Sequence, residues 1–343
     1  MSLHTPLCDR FGLDHPVVQA PIGSVSTPEL AAAVSNAGGL GTIAVTWRDF
    51  EETRTAIEAI RERTEGPFAV NLVLDDDARE YPIGEHLDVC LDAGAPLVSF
   101  SFGDPAPYVD RVHEAEAEVL ATAGSASEAR SAVDAGVDAI VAQGWEAGGH
   151  LQSEVATTAL VPAVADATPE EVPVIAAGGL SDGRGLAAAL ALGADGGWFG
   201  TRFVATDEAD AHDEYQRAVV DGDATETVRG TPFPKGWPDQ PHRTLESAAT
   251  ERWIAAGRPP LSEREDSGQE VAETPAGDSL ERYVDLPPIS GVEGRVGELP
   301  HYAGQSVGGV DAVHSATTVV EALVEDALAT IDSLCEHRSG GAA

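Results

Sequence analysis

Three observations predict a parallel (β/α)8 (TIM) barrel carrying an inserted segment. Short apolar, β-branched runs alternate with helix-like stretches eight times between Val17 and Gly200, about 20–30 residues apart. Several of these runs end in Gly, as a barrel strand does where it opens into its C-terminal loop. After Arg202 the alternation breaks, and it is completed only by a long amphipathic stretch, Ser315 to Leu334, the natural eighth helix. A doubly wound sheet is the alternative, and it usually needs fewer strands.

Taken in order, Val17 to Ile22 (VVQAPI) is a first strand ended by Pro21 and followed by Gly23-Ser24. Thr27 caps the next segment, with Pro28 at the first helical position and Glu29 in the first turn, and the helix runs from Leu30 to Ala37 before Gly38-Gly39 stops it. Leu40 to Val45 is the second strand and Phe50 to Arg63 its helix. Phe68 to Leu74 (FAVNLVL) is the third strand, with one polar residue, Asn71, in its middle, and Leu97 to Phe102 is the fourth. Glu118 to Thr122 is the fifth, followed by a helix from Ser127 to Ala135 with Ser127 as its cap. Ala139 to Gln143 is the sixth, Val172 to Ala177 the seventh and Gly196 to Gly200 the eighth, with helices over Thr157 to Ala167 and Asp182 to Leu192.

The barrel thus comprises residues 1–205 and 299–343, and residues 206–298 form the insertion. That segment is charged and rich in Pro and Gly. It is predicted to be mostly helical, with helices over Glu208 to Val220 and Leu245 to Ala256, and with Thr231 to Pro241 (TPFPKGWPDQP) and Leu261 to Gly277 as loops. Its place between the eighth strand and the closing helix puts it on the catalytic face, where it can roof a ligand.

Composition narrows the function classes. The 343 residues suit one barrel with an insertion, and 43% hydrophobic content supplies a full core. No run of eighteen apolar residues is present and the N-terminal stretch lacks a signal-peptide pattern, so the expectation is a cytoplasmic protein. The net charge of −38, with Lys235 as the only lysine, repels nucleic acid and anionic membrane. The acidic residues are dispersed, which points to solubility at high salt rather than to an interaction tail. Cys8, Cys90 and Cys335 are too few and too scattered for a disulfide framework or a zinc knuckle, and none lies in a glycine-rich loop.

The chemistry is expected at Ala139 to His150, AIVAQGWEAGGH. A strand buried on both faces runs there into a polar, glycine-rich loop, and the loop ends in His150, whose side chain is both acid and base near neutral pH. A lone histidine after a glycine pair is ordinarily a surface-turn residue. Two further strand-to-glycine loops, Ala176 to Gly179 and Gly200-Thr201, favour a site instead. No second His or Cys stands at ligand spacing, so no metal role is expected.

In order along the chain, VQAPIGSVSTPELAAAVSNAGGLGTI, FAVNL, VSFSFG, AQGWEAGGH, VPVIAAGGLSDGRGLAAALALGADGGWFGTRF and YAGQSVGG resemble the blocks of the nitronate monooxygenase (2-nitropropane dioxygenase) family. The resemblance is close over residues 14–205, returns at about 299–325, and is looser across the insertion. It implies FMN and a reaction in which an alkyl nitronate is oxidised with O2 to a carbonyl compound and nitrite. The same blocks occur in flavin-dependent enoyl-ACP reductases and NAD(P)H:quinone reductases, which are the alternatives; a non-enzymatic barrel ranks last.

For FMN the resemblance implies backbone and hydroxyl contacts to phosphate at Gly178, Gly179, Phe199, Gly200 and Thr201, aided by the helix start near Ser181-Asp182. A phosphate-binding lysine after the fifth strand is absent, its place taken by Gly124-Ser125. Asn71, Gln143 and Gly148 would meet the flavin ring, and Ala20, Pro21 and Ile22 would lie against it, Ile22 standing where the family usually has Met. His150 matches the catalytic histidine. Glu146 reads as a loop brace or a substrate-side acid, Trp145 as a cover of the barrel rim or a substrate contact, and Tyr302, Gln305 and Ser306 of the last block as further substrate-side candidates. A homodimer is compatible with the sequence.

The dispersed acidic excess carries a consequence for folding. The melting temperature should rise as KCl or NaCl goes from low to molar concentration, because screening removes carboxylate self-repulsion. A melting temperature indifferent to salt would remove that reading.

Overall fold

In the computed structural model, which describes residues 3–339, eight parallel strands form the barrel wall. They are β1 (Val17–Gln19), β2 (Gly41–Ala44), β3 (Phe68–Val73), β4 (Leu97–Ser101), β5 (Glu118–Ala123), β6 (Ala139–Gln143), β7 (Val174–Ala177) and β8 (Gly196–Phe199). From β2 onward each pairs with the next, and β8 pairs with β1 from Val17–Gly197 to Gln19–Phe199. The last seam closes through Leu40, whose N–H donates to Val17 O and whose carbonyl accepts from Gln19 N–H, both at 2.9 Å. The helices that follow the strands are α1 (Pro28–Asn36), α2 (Phe50–Arg61), α3 (Ile83–Asp92), α4 (Ala106–Glu114), α5 (Ala126–Asp134), α6 (Thr157–Ala165), α7 (Gly183–Ala191) and α8 (Ala316–Ser339).

Alternation along each strand divides the core into two layers. In β6, Ala139 and Val141 face inward while Ile140 and Ala142 pack under the helices. The inner layer joins Val18, Leu40, Ala69, Leu120, Ile175 and Trp198, and a short helix, Pro6–Phe11, plugs its lower end with Leu7, Cys8 and Phe11. With the bottom sealed by apolar side chains, polar inward positions lie toward the C-terminal end, where Asn71, Ser101, Thr122 and Gln143 line a cavity.

Local signals account for most boundaries. Thr27 Oγ1 accepts from Leu30 N–H at 2.9 Å with Pro28 in the first turn, as expected for α1. Asp49 and Glu52 form a reciprocal capping box on α2. At α5 the cap is Ser125, not Ser127: its hydroxyl accepts from Glu128 N–H at 3.2 Å, because the Gly124-Ser125 turn already carries the chain into the helix. No helix among the described residues is long and apolar enough to cross a membrane.

The insertion departs from a mostly helical segment. Two helices are present, Asp213–Asp221 and Ala248–Ala255, but they share the segment with five short strands. Thr227–Gly230 pairs antiparallel with His242–Leu245, which pairs in turn with Gly149–His150 of the barrel loop. Glu270–Glu273 is flanked by Ser279–Glu281 and Glu293–Gly294 in a second small sheet. Strands of two to four residues carry too little alternation to show in sequence, and their partners are distant. A buried ion pair fastens this half of the insertion: Arg282 meets Glu298 through two bonds of 2.9 Å, and Arg252 meets Glu298 from the other side.

Three buried histidines make the fold acid-sensitive. Burial pushes His86 down to about 4, His301 down to about 4 and His242 down to about 3, against an ordinary value of 6.5. Each is neutral in the native protein and protonates on unfolding, so stability falls as pH drops from about 6.5 to about 4. Glu118 and Asp195, whose carboxyls burial raises, oppose this only toward the carboxylate range. Thermal unfolding should therefore take up close to three protons per chain at these histidines near the middle of the window and fewer toward either end, with a melting temperature that falls as pH drops. A melting temperature constant over it contradicts this.

Candidate active site

The cavity occupies the C-terminal end of the barrel, beneath the insertion, with a volume of about 530 Å³. The loop after β6 forms one wall. Glu146 braces it, its Oε2 accepting from Thr157 N–H at 2.9 Å, while Thr157 Oγ1 lies 2.8 Å from that carboxylate and 2.9 Å from Gly178 O. The loops after β6 and β7 are thereby tied to the start of α6. Gly148 passes so close to the last sequence block that a Cβ there would lie 2.4 Å from Gly304 N, so only glycine fits. Gly178 and Gly179 adopt φ of 98° and 77°, which lets the chain turn back over the strand end.

Ala20, Pro21, Ile22, Asn71, Gln143, Gly148, His150, Gly178, Gly179, Gly200, Thr201, Tyr302 and Ser306 all line this one cavity. Three expected residues do not. Phe199 turns outward under the helices, because alternation along β8 sends Trp198 inward instead, and Trp198 lines the cavity. Gln305 is exposed on a short 3₁₀ turn, Gln305–Gly309. Trp145 lies on the rim, its ring covered by the Arg229 guanidinium at 3.9 Å.

Two expected contributions take another form. The start of α7 is capped by its own Asp182, whose Oδ1 accepts from Arg184 N–H at 2.9 Å, so that helix end is already answered by a carboxylate. Gln143 Nε2 donates to His150 O at 3.1 Å and its Oε1 accepts from Gln152 N–H at 2.7 Å. Its amide thus shapes the His150 loop while its side chain borders the cavity.

The glycine cradle fits a bound phosphoryl group. At Gly200, with φ of −103°, an added Cβ would meet only Ala20 Cβ, at 3.5 Å. No protein backbone or strained φ requires glycine there; the missing side chain keeps cavity space open beside Thr201. Thr201 Oγ1 accepts from Gly304 N–H at 2.9 Å, which leaves its own hydroxyl proton to donate. Arg48 is the one cationic side chain among the described residues lining the cavity, held on Ala44 O at 3.2 Å; burial lowers its pKa, opposed by Glu52 and Asp210.

Around His150 the insertion supplies what the sequence did not reveal. Trp237 lies tilted against the imidazole, centroids 4.4 Å and planes 32° apart, and its Nε1–H donates to Asp75 Oδ2 at 3.2 Å. Asp285 Oδ2 lies 3.2 Å from His150 Nε2, both side chains largely buried. Tyr302 donates its hydroxyl proton to Asp285 Oδ1. Burial pushes the Asp285 carboxyl up, but His150, Tyr302 and His242 together outweigh it and hold the group below its ordinary value. Burial, then Asp285, pushes the Tyr302 hydroxyl well above its own, so it stays protonated. Trp237 and Asp285 come from stretches read as loop or left unassigned, and no local pattern marks them. Trp198 could have been found by applying strand alternation to GGWFG.

With this geometry in place, comparison with known proteins is decisive on family: the family model described as nitronate monooxygenase matches residues 4–326. The chain belongs to the nitronate monooxygenase family. It is 34% identical over 270 residues to a protein of Staphylococcus saprophyticus named "Probable nitronate monooxygenase", covering 66% of this chain and 76% of that one. It is 38% identical over 260 residues to the "(3aS,4S,5R,7aS)-5-hydroxy-7a-methyl-1-oxo-octahydro-1H-indene-4-carboxyl-CoA dehydrogenase" of Mycobacterium tuberculosis, covering 75% and 70%. Among solved structures, FabK from Thermotoga maritima superposes with a TM-score of 0.82 at 33% identity, covering 98% of this chain and 100% of that one. Nitroalkane oxidase from Streptomyces ansochromogenes gives a TM-score of 0.75 at 28% identity, covering 96% and 100%. The chain is an oxidoreductase of this family.

Proposed function

We propose that this enzyme binds FMN in the cavity and oxidises alkyl nitronates, and nitroalkanes by way of their nitronates, with O2 to a carbonyl compound and nitrite. The observation that carries the reading is the convergence of His150 and the bare Gly178–Gly179 and Gly200–Thr201 cradle on one cavity. The cradle would take the phosphate through main-chain N–H groups and the Thr201 hydroxyl. Ala20, Pro21 and Ile22 would support the ring, with Asn71 at its polar edge; Asn71 is oriented by its Nδ2, which donates to Ser99 O at 3.1 Å. Bound FMN supplies the electron-accepting chemistry and the link to O2, which no side chain here can provide.

The chain's own part is proton handling and enclosure. His150 takes the proton from the carbon next to the nitro group of a neutral substrate, and for a preformed nitronate it holds the anion. Trp237, Leu286, Pro287 and Tyr302 roof the space, so the reacting carbon is kept from bulk water. An NAD(P)H-dependent reductase is the second reading. The FabK likeness favours it, since that TM-score of 0.82 exceeds the 0.75 for nitroalkane oxidase. The single lysine argues against docking an acidic acyl carrier protein.

The protein should bind one FMN per chain without a covalent bond. Gly200→Val should weaken that binding ~10-fold or more while leaving the melting temperature of the flavin-free protein nearly unchanged, because the added carbons enter the ligand's space. Absence of a flavin spectrum on titration with FMN overturns the cofactor assignment.

His150→Asn should keep FMN yet lose ~100-fold or more on neutral nitroalkanes, with a smaller loss on preformed nitronates, whose proton is already gone. Equal losses would mean that His150 only positions the substrate. Anaerobic mixing separates the two functional readings: a nitronate should bleach the flavin. Rapid bleaching by NADH or NADPH with no response to nitronate would replace the monooxygenase by a reductase.

A further inference from the structure

We infer that Asp285 is a positioning residue for this reaction: brought over His150 by the inserted segment, its carboxylate holds the imidazole with the proton on Nε2 and so leaves Nδ1 as the nitrogen that accepts the substrate's proton. The inference rests on the proposal that His150 removes a proton from the substrate.

His150 Nε2 is shielded from solvent and makes no hydrogen bond within the protein. The nearest group that could answer it is Asp285 Oδ2, at 3.2 Å. A buried lone pair on Nε2 facing a carboxylate oxygen would be repelled, whereas an N–H there is attracted, and few other dipoles compete in so dry a place. The neutral ring therefore carries its proton on Nε2, and the free lone pair is left on Nδ1 of a side chain that lines the cavity.

Asp285 is itself held at several points. Tyr302 occupies Oδ1, the Asp285 backbone N–H donates to Lys235 O at 2.7 Å, and its side chain is only 6% exposed. The other titratable groups packed around the pair do not compete for the Nε2 proton. His242 Nε2 accepts from Phe233 N–H at 3.1 Å, which puts the His242 proton on Nδ1, facing Gln240 O. Arg264 is held by the carbonyls of Thr231, Pro232 and Pro259, and the Lys235 ammonium by Ser267 O and Glu281.

The step then balances within the site. The substrate's α-carbon–hydrogen bond breaks, its electron pair remains with the nitro group as the nitronate, and an N–H bond forms at His150 Nδ1. The resulting imidazolium faces the Asp285 carboxylate, the same division of labour by which a buried aspartate orients a catalytic histidine in hydrolase triads. Because Asp285 belongs to the insertion and His150 to the barrel, the base is complete only when the roof is seated.

The test uses full-length, FMN-loaded protein labelled with ¹⁵N in histidine, at alkaline pH where imidazoles are neutral. The His150 signals are identified by their loss in His150→Asn. In the wild type, Nε2 should give the protonated and Nδ1 the unprotonated type of nitrogen shift. In Asp285→Asn that preference should be lost, and kcat/KM on a neutral nitroalkane should fall ~100-fold or more with kcat taking most of the loss, while turnover of the preformed nitronate changes less. Asp285→Glu should restore part of the nitroalkane activity.

A wild-type proton on Nδ1, or an Asp285→Asn variant that loses both substrates equally, overturns the inference. If Asp285→Asn does not fold, the wild-type spectrum decides alone. Should neither substrate be turned over by the wild type, the proposed reaction fails, while the nitrogen shifts still decide what Asp285 does to His150.

Discussion

The architecture of the site depends on a two-residue β-pairing. Gly149 and His150, at the end of the loop from β6, align antiparallel with Arg243 and His242 of the insertion. Through that contact the roof is joined to the barrel by backbone hydrogen bonds, which tolerate little displacement. Leu151 N–H extends the seam to Pro241 O at 2.9 Å. Side chains reinforce it: Arg229 covers Trp145, and Arg243 donates to Trp145 O at 2.9 Å. The catalytic candidate thus sits within the joint between scaffold and roof.

This placement explains the packing around the imidazole. A histidine in an open loop would be solvated and mobile. Here Trp237 lies against one face, with His242 and Tyr302 at centroid distances of 5.2 and 5.7 Å. Such enclosure orients the ring but removes water from its nitrogens, so polar partners must come from the protein. The insertion brings both cover and partner, which gives a physical reason for it to be docked rather than a loose flap.

The polar interior of the roof is held by the same logic. Arg282, Arg252 and Glu298 satisfy one another through charge-assisted bonds, and Asp266 extends the network to Arg282 Nη1 at 2.7 Å. Removing Glu298 would leave the buried Arg282 short of its main partner at a cost of up to about 3–5 kcal/mol, although the intact cluster need not stabilise the fold much more than apolar packing would. Its value lies in geometry: it spans residues 252 to 298 and fixes the sheet leading into Tyr283 and Asp285. The acidic exterior, by contrast, is dispersed and solvated.

Much of this was legible in the chain. The eight strands, the capping at Thr27 and the closing helix follow from periodicity and local hydrogen bonding, which act over a few residues. The glycine loops and His150 were also visible, since a barrel displays strand-end residues at one rim; Ala20, Asn71, Gly178, Gly200 and Thr201 duly line one cavity. Sequence alone therefore determined the barrel and the rim at which His150 and the glycine loops gather. Tertiary structure decided which face of β8 looks inward, so that Trp198 rather than Phe199 borders the cavity. It also decided that the insertion pairs as short strands, and that Trp237 and Asp285 reach His150 from 87 and 135 positions further along the chain (237 − 150 and 285 − 150). Those contacts leave no periodic trace, because they join segments whose separation in sequence bears no relation to their distance in space.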